Sequence, residues 1–287
     1  MQTIVIHGGA GEWPEDERGG AVDGVRQAAE AGWKVLAAGG SALDAVAAAV
    51  VLLEDAPLFN AGTGSVLNAA GEVEMDASIM AGETLASGGV TCLRRARNPV
   101  LVARRVLDAT DCVLLAGEAA TQFAREQGFE DYDPVTVRRR AQWQAANLVH
   151  APGTVGAVAL DASGHLAAAT STGGREMKPA GRVGDSPVPG AGNYATAYAA
   201  VSATGLGEVM LRAATAKAIA DHVERGLPAS RAASVVLDEM RLRFGTPIGV
   251  ICLDAQGGIG VVHGTRAMPH AFRTGDMAAP VARFSLC

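Results

Sequence analysis

Hydrophobic and polar residues repeat along this chain with two periods, and each period predicts a different kind of element. Residues 3–6 are typical of a strand that ends in glycine-rich turn chemistry, and residues 21–38 follow with the pattern of an amphipathic helix. Ser41, with Asp44 three residues later, is typical of a helix start. Residues 45–53 are apolar on nearly every face, which predicts a helix covered by other elements.

A polar stretch separates two halves of the chain. Before it, the pattern predicts paired strands at 72–80 and 88–93 and helices at 99–107 and 113–126. Residues 130–152 are polar and arginine-rich, which indicates a linker. Within them, the Arg138-Arg-Arg140 run is interpreted as a solvated helix face or part of that linker.

Beyond the linker, two continuously apolar strands at 154–160 and 166–170 predict a hairpin. Strands without a polar face need cover on both sides. The pattern then predicts helices at 208–225 and 230–243 and strands at 248–253 and 259–263. Two sheets stacked face to face with helices outside fit this order of elements, and the pattern by itself leaves other α/β arrangements open.

Composition narrows the class of protein. A chain of 287 residues that is 49% hydrophobic and carries 36 glycines predicts a globular core of small aliphatic residues. A net charge of -6 argues against a nucleic-acid partner, and the longest apolar stretch is too short to span a membrane. The four cysteines show no paired spacing, and the chain has no basic leader or signal segment, so we expect a cytoplasmic protein.

The bond between Gly153 and Thr154 is the leading candidate for chemistry. A threonine hydroxyl is a weak nucleophile, but a freed α-amino group with a pKa of about 7.7 to 8.0 can take its proton. Glycine before the threonine tolerates the close approach that an acyl shift requires. A threonine nucleophile exposed by self-cleavage is one interpretation, and an ordinary turn leading into a strand is the other.

A second candidate is the loop that contains Arg182 and Asp185, bounded by glycines. Together they offer a guanidinium fork for an α-carboxylate and an acceptor for an α-ammonium group, which is the head of an amino acid. An internal ion pair between them is the alternative. The six histidines lack metal-ligand spacing, and no nucleotide-binding or serine-hydrolase motif is complete, so we expect no cofactor for catalysis.

Several segments of the chain carry a family resemblance. They are Ile6-His-Gly-Gly-Ala-Gly11, Leu58-Phe-Asn-Ala-Gly62, the run from Thr154 to Gly174, Gly181-Arg-Val-Gly-Asp-Ser-Pro187 and Ala203-Thr-Gly-Leu-Gly-Glu208. Together they resemble the plant-type asparaginase and isoaspartyl peptidase family of N-terminal nucleophile hydrolases. The resemblance implies an α+β fold, a four-layer αββα sandwich. It also implies one domain, 1–287, that cleaves itself into 1–153 and 154–287.

The resemblance assigns roles to individual residues. It implies that Thr154, freed from Gly153, is the nucleophile and that Thr172 hydrogen-bonds it. Thr204 and Gly205 would form the oxyanion hole, with Gly205 also on the substrate. Arg182 would bind the substrate carboxylate and Asp185 its amine. Asn60 would hold the nucleophile's amino group, and a local Asx-turn is the alternative for this residue.

The resemblance also implies a structural sodium ion and an assembly. The sodium loop would use backbone carbonyls around Leu53, Glu54, Phe59 and Ala61, and the expected assembly is a homodimer of cleaved protomers.

The expected reaction is hydrolysis of β-aspartyl dipeptides and L-asparagine through an acyl-enzyme, with release of L-aspartate. Leu206 and the segment 244–249 depart from the family pattern near the expected pocket, so substrate preference stays open. Two alternatives remain at this stage. One is an amidase that resembles glycosylasparaginase, and the other is an amino-acid-binding homologue that never processes itself.

Overall fold

The computed structural model describes residues 1–145 and 153–285. Its strands are β1 Thr3–His7, β2 Met75–Ala81, β3 Ser87–Leu93, β4 Leu114–Ala116, β5 Val155–Leu160, β6 Leu166–Thr172, β7 Asn193–Ala195, β8 Ala199–Thr204, β9 Gly249–Asp254, β10 Ile259–His263, β11 His270–Thr274 and β12 Val281–Arg283. Its α-helices are α1 Arg18–Ala37, α2 Ala42–Asp55, α3 Pro99–Ala109, α4 Gly117–Glu126, α5 Val137–Gln144, α6 Gly207–Ala213, α7 Thr215–Glu224 and α8 Ala229–Phe244.

The strands form two sheets. The larger has eight strands in the order β12-β11-β1-β5-β6-β2-β3-β4, and the smaller has four in the order β10-β9-β8-β7. Neighbouring strands are antiparallel except for the parallel pair β3 and β4. In the larger sheet β5 lies between β1 and β6, so segments from both sides of Gly153 interleave.

Side-chain alternation divides the core into three clusters. On β5, Val155 and Ala157 pack with the helices α1 to α3, whereas Val158 and Leu160 pack between the two sheets. A separate cluster lies between the smaller sheet and the helices α6 to α8. The order of layers is helix, sheet, sheet, helix, which confirms the expected four-layer αββα sandwich.

The buried helix predicted around 45–53 is confirmed as α2. Ser41 is its N-cap, and the Ser41 Oγ accepts a hydrogen bond of 3.1 Å from the backbone N–H of Asp44. Residues on several faces of the helix are fully buried, because α1 covers one side and the larger sheet the other. None of the helices in the described residues combines the length and apolar composition that a membrane span requires.

The helix predicted at 113–126 is wrong in its first turn. Residues Leu114–Ala116 instead form the edge strand β4, which pairs with β3 through Gly89 and Leu114. Gly117 follows with a φ of 59°, a left-handed conformation that ends the strand and lets α4 begin. Pairing with a sheet edge therefore outweighs the helical pattern here.

The helix predicted at 208–225 is two helices, because Ala214 has a φ of 46° and separates α6 from α7. The loop before β7 explains the break. The N–H groups of Ala216 and Lys217, in the first turn of α7, donate to the carbonyls of Ala191 and Gly190 at 3.1 and 2.9 Å. These bonds satisfy donors that a helix start leaves unpaired.

The predicted linker contains the short helix α5, and one of its arginines is not solvated. Arg139 is 2% exposed, and its Nε donates to the carbonyl of Gly64 at 2.6 Å. Burial, together with the neighbouring Arg138 charge, lowers the pKa of Arg139 to about 10. The interpretation of the Arg138-Arg-Arg140 run as a solvated face is therefore wrong for Arg139. The rest of the predicted linker, 146–152, lies outside the described residues.

Candidate active site

The layer between the two sheets is apolar at one end and polar at the other. At the polar end Gly156 of β5, Thr170 of β6 and Ser202 of β8 meet. The hydroxyls of Thr170 and Ser202 are 2.7 Å apart, and a Cβ at position 156 would overlap the Ser202 Oγ. Only glycine at 156 lets the two sheets approach this closely.

Three threonines lie next to that contact, each two residues away along its own segment. Thr154, Thr172 and Thr204 each stand two positions along the chain from the contact residue of their own segment, so they face the same end of the layer. The register of β5 with β6 pairs Val155 with Ser171, and continuing it places Thr172 opposite Thr154. All three are buried, at 6%, 3% and 0% exposure. The predicted nucleophile therefore converges with two of its predicted partners.

The Thr204 hydroxyl accepts a hydrogen bond, and in the described chain it donates none. Its Oγ1 accepts a 3.1 Å hydrogen bond from the backbone N–H of Ala10, in the glycine-rich loop that follows β1. A hydroxyl that accepts can still donate, so the Thr204 proton is available to a developing negative charge.

Gly205, next in the chain, has a φ of 140°, and a Cβ there would lie 3.0 Å from the side chain of Ile248. Ile248 belongs to the segment 244–249, so one departure from the family pattern borders this site.

Asn60 ties its loop to the strand end that carries Thr172. Its Nδ2 donates to the carbonyl of Gly174 at 2.8 Å, and its Oδ1 accepts from the N–H of Val66 at 2.9 Å. Because Val66 is six residues away, these bonds are not those of a local Asx-turn. The Thr172 Oγ1 accepts from the N–H of Gly174 at 2.9 Å, which fixes the hydroxyl of the second threonine.

His7 lies at this candidate site, although the sequence assigned it no role there. It lies opposite Gly156 in the β1–β5 register, and its Nε2 is 2.9 Å from the Ser202 Oγ. Complete burial lowers the pKa of His7 to about 3, and the backbone of Thr154 opposes that shift in part. The neutral imidazole belongs to a buried chain of hydrogen bonds from His7 through Ser202 to Thr170, which links the larger sheet to the smaller one.

The two charged residues of the predicted amino-acid loop form no ion pair with each other in the described chain. Arg182 pairs with Glu208, whose Oε1 lies 3.0 Å from Nε and 2.9 Å from Nη2. Asp185 is 4% exposed, and its Oδ2 has no hydrogen-bond partner in the described chain. Burial raises the pKa of Asp185 to about 7. The Asp185 Oδ1 and the Arg182 Nη2 border the same space beside Gly207, an arrangement suited to the ammonium and the carboxylate of one ligand.

Gly207 leaves space between these two side chains. A Cβ at this position would lie 2.8 Å from the Asp185 Oδ1 and 2.9 Å from the Arg182 Nη2. If Arg182 and Asp185 bind the amino-acid head, as the resemblance implies, Gly207→Ala should raise the KM for asparagine about tenfold, because the methyl group would occupy the space between them. Steady-state kinetics checks this.

A matched control comes from Gly19, on α1, where an added Cβ meets no atom within 4 Å. Gly19→Ala should leave KM unchanged and alter the free energy of unfolding by about 1 kcal/mol at most. An equal KM in the two variants would contradict the role of the space at Gly207.

The four residues of the predicted sodium loop are buried, at 1% exposure or less. The carbonyl of Leu53 accepts from the N–H of Ala56 at 3.3 Å, and that of Glu54 accepts from Thr63 at 2.7 Å. The Glu54 Oε1 accepts from the N–H of Val100 at 2.9 Å, at the start of α3. That carboxyl oxygen is thus committed to a helix end, while each carbonyl keeps a second lone pair.

The four-layer order, with its polar end between the sheets, is that of the N-terminal nucleophile hydrolases, the class that the resemblance implied. The chain belongs to the asparaginase family, since the Asparaginase_2 family model matches residues 1–282.

The chain is similar in sequence to curated relatives over most of their length. A plant-type L-asparaginase of Pyrococcus abyssi is 45% identical over an alignment of 305 residues that covers 98% of this chain and 99% of the relative. An isoaspartyl peptidase/L-asparaginase of Danio rerio is 42% identical over 270 residues, covering 90% of this chain and 87% of the relative. One of Xenopus laevis is 45% identical over 267 residues, covering 89% and 86%.

Proposed function

We propose that this protein is an autoprocessed threonine amidohydrolase that releases L-aspartate from β-aspartyl dipeptides and L-asparagine. The observation that carries the proposal is the convergence of buried Thr154 with Thr172 and Thr204 at one end of the inter-sheet layer. The names of the relatives, plant-type L-asparaginase and isoaspartyl peptidase/L-asparaginase, support the substrate class.

Maturation is an acyl shift followed by hydrolysis. The Thr154 Oγ1 attacks the carbonyl carbon of Gly153, and the acyl group moves from the Thr154 nitrogen to its oxygen. Water then hydrolyses the ester, which gives Gly153 a carboxylate and Thr154 a free α-amino group. That amine is the base that the hydroxyl lacked before cleavage. Because both fragments contribute strands to the larger sheet, they stay together after cleavage.

Turnover uses the same hydroxyl on the substrate. Thr154 attacks the side-chain amide carbon of asparagine, and its amino group takes the hydroxyl proton. The Thr204 hydroxyl and the Gly205 N–H stabilise the tetrahedral oxyanion. Ammonia, or an amino acid in the case of a dipeptide, leaves with that proton, and water releases aspartate from the ester. Thr172 and Asn60 hold the nucleophile in place.

Ionisation of Asp185 makes binding of the amino-acid head of the substrate depend on pH. We expect the affinity for aspartate to fall as pH drops through about 7, because only the ionised carboxyl attracts an ammonium. Calorimetry between about pH 5.5 and pH 8.5 checks this. Asp185→Asn should bind weakly and without a transition in that window. A wild-type affinity that is constant across it would contradict the assignment.

The raised pKa of Asp185 has the opposite effect on stability, because this carboxyl stabilises the folded protein less as pH rises. Since the pKa of Asp185 in the folded protein is raised from 3.8, the folded state binds more protons than the unfolded state below about pH 7. The contribution of this carboxyl to the free energy of unfolding therefore decreases as pH rises from about 4 to about 7.

Comparing substrates tests the function. Purified protein is assayed for ammonia from L-asparagine, aspartate from a β-aspartyl dipeptide, and aspartate from a glycosylated asparagine. We expect turnover of the first two and little of the third. Preference for the glycosylated substrate would favour the glycosylasparaginase-like alternative. Calorimetric binding of aspartate by an intact chain without turnover would favour the non-processing binding protein.

We further infer a homodimer of cleaved protomers, which light scattering after size-exclusion chromatography tests directly. A reducing, cytoplasmic location is supported by the free thiols of Cys92, Cys112 and Cys252. The interleaved strands support a single domain that is cut once, rather than two separable domains.

We also infer that the carbonyls around Leu53, Glu54, Phe59 and Ala61 can hold a sodium ion. Backbone oxygens with a free lone pair, at the end of α2 and in the loop that follows it, are ligands that hard cations prefer. The melting temperature should then rise more in sodium chloride than in choline chloride at equal ionic strength. Identical melting curves would contradict the ion.

A further inference from the structure

Three polar side chains stand at alternate positions where the chain enters β2, at Glu74 just before the strand and at Asp76 and Ser78 within it. Glu74, Asp76 and Ser78 are 3%, 0% and 0% exposed, although the residues between them are core aliphatic residues. Polar groups in such a place must use their hydrogen bonds, because an unsatisfied buried group is costly.

All three side chains bond to one loop, residues 181–186. The Glu74 Oε2 accepts from the N–H of Gly181 at 2.9 Å, and the Asp76 Oδ2 accepts from the N–H of Gly184 at 3.2 Å. The Ser78 Oγ donates to the carbonyl of Ser186 at 2.6 Å. This loop carries both Arg182 and Asp185. Side chains at and just before the start of β2 thus hold the backbone of the predicted head-binding loop at three points.

The remaining bonds of these side chains fix them in turn. The Asp76 Oδ1 accepts from the N–H of Cys92 at 2.9 Å, and the Ser78 Oγ accepts from Asn193 Nδ2 at 2.9 Å. Glu74 pairs with Arg94 at 2.7 Å. Because each anchor is itself held by a neighbouring strand or loop, the loop geometry is imposed by the fold and does not depend on a ligand.

We propose that Glu74, Asp76 and Ser78 are positioning residues that set the affinity for the amino-acid head by fixing residues 181–186. The inference rests on the proposed function of that loop. None of the three bonds to the predicted nucleophile, so their effect is on substrate binding and not on bond cleavage. The three act through Arg182 and Asp185, which would contact the substrate.

Two substitutions test the assignment. Asp76→Asn replaces an accepting oxygen by an NH₂ group that cannot accept from the backbone, and Ser78→Ala removes the bond to Ser186. Ser87→Ala is the matched control, because the Ser87 Oγ bonds to the carbonyl of Ile79 at 3.3 Å and not to the loop. Each protein is measured for self-cleavage, for kcat and KM with asparagine, and for aspartate binding by calorimetry.

The expected result is a KM and an aspartate Kd raised about tenfold in both test variants, with kcat within about threefold and complete self-cleavage. Ser87→Ala should match the wild type. If wild type and Ser87→Ala turn over and the two variants keep a wild-type KM and Kd, the inference fails alone. A fall in kcat at constant KM in Ser78→Ala would also overturn it. If the wild type neither cleaves itself nor turns over, the proposed function fails with it.

Discussion

Replacing Thr154 by alanine is expected to leave one uncut chain of 287 residues and to reduce asparagine hydrolysis by about 10⁴-fold or more. The variant lacks the proposed attacking oxygen, so the acyl shift cannot occur and no acyl-enzyme can form. It also loses the base, because the α-amino group of residue 154 stays in a peptide bond. Gel electrophoresis under denaturing conditions and an ammonia assay measure both effects.

Thr154→Ser is the control, because it keeps a hydroxyl on Cβ and removes only a methyl group. It should retain self-cleavage and measurable turnover. The turnover should be slower than that of the wild type by about a hundredfold at most, because serine lacks the rotamer restriction of a β-branched residue. Undiminished turnover by Thr154→Ala would contradict the assignment of the nucleophile.

Replacing Thr204 by valine is expected to reduce kcat by about 10² to 10³-fold with a smaller change in KM. Valine has nearly the same shape, so it keeps the packing of β8 and removes the proton that we propose binds the oxyanion. The loss falls on kcat because negative charge develops only in the transition state. Steady-state kinetics on protein that has already cleaved itself separates this effect from slow maturation.

The valine variant also leaves the N–H of Ala10 without its acceptor, which is expected to lower the free energy of unfolding by about 1 to 3 kcal/mol. Thr204→Ser restores both the acceptor and the donor, and should recover most of the lost kcat. If Thr204→Val turned over asparagine at the wild-type rate, the oxyanion site would have to lie elsewhere.

Local chemistry explains which parts of the fold could be predicted. The cap of α2 by Ser41 depends on residues three apart, and the hairpin of β5 and β6 on two apolar runs separated by a short turn. Neither needs knowledge of distant contacts. The convergence of Thr154 with Thr172 follows from the hairpin register alone.

Contacts between distant segments explain what could not be predicted. Alanine is the best helix former, yet Ala214 adopts a left-handed conformation where the loop before β7 binds the next turn. Arg139 lies in a charged run, but it is buried because a carbonyl 75 positions away accepts its hydrogen bond. β8 consists of small residues without a strong strand pattern, so its sheet partners define it.

In the candidate site, too, contacts between distant segments could not be predicted from the sequence. The carboxylate partner of Arg182 is Glu208, 26 positions away, and nothing in the loop itself identifies it. The alternation of Glu74, Asp76 and Ser78 was visible in the sequence as a period of two, although an ordinary half-exposed strand gives the same pattern. Their burial and their bonds to one loop distinguish the two cases.

Intact mass spectrometry of the purified protein shows directly whether the bond between Gly153 and Thr154 has been cut. Self-cleavage there predicts two masses, those of residues 1–153 and 154–287, with Thr154 as the amino terminus of the second fragment. A preparation that hydrolyses asparagine at full rate while showing only the mass of the uncut chain would contradict it.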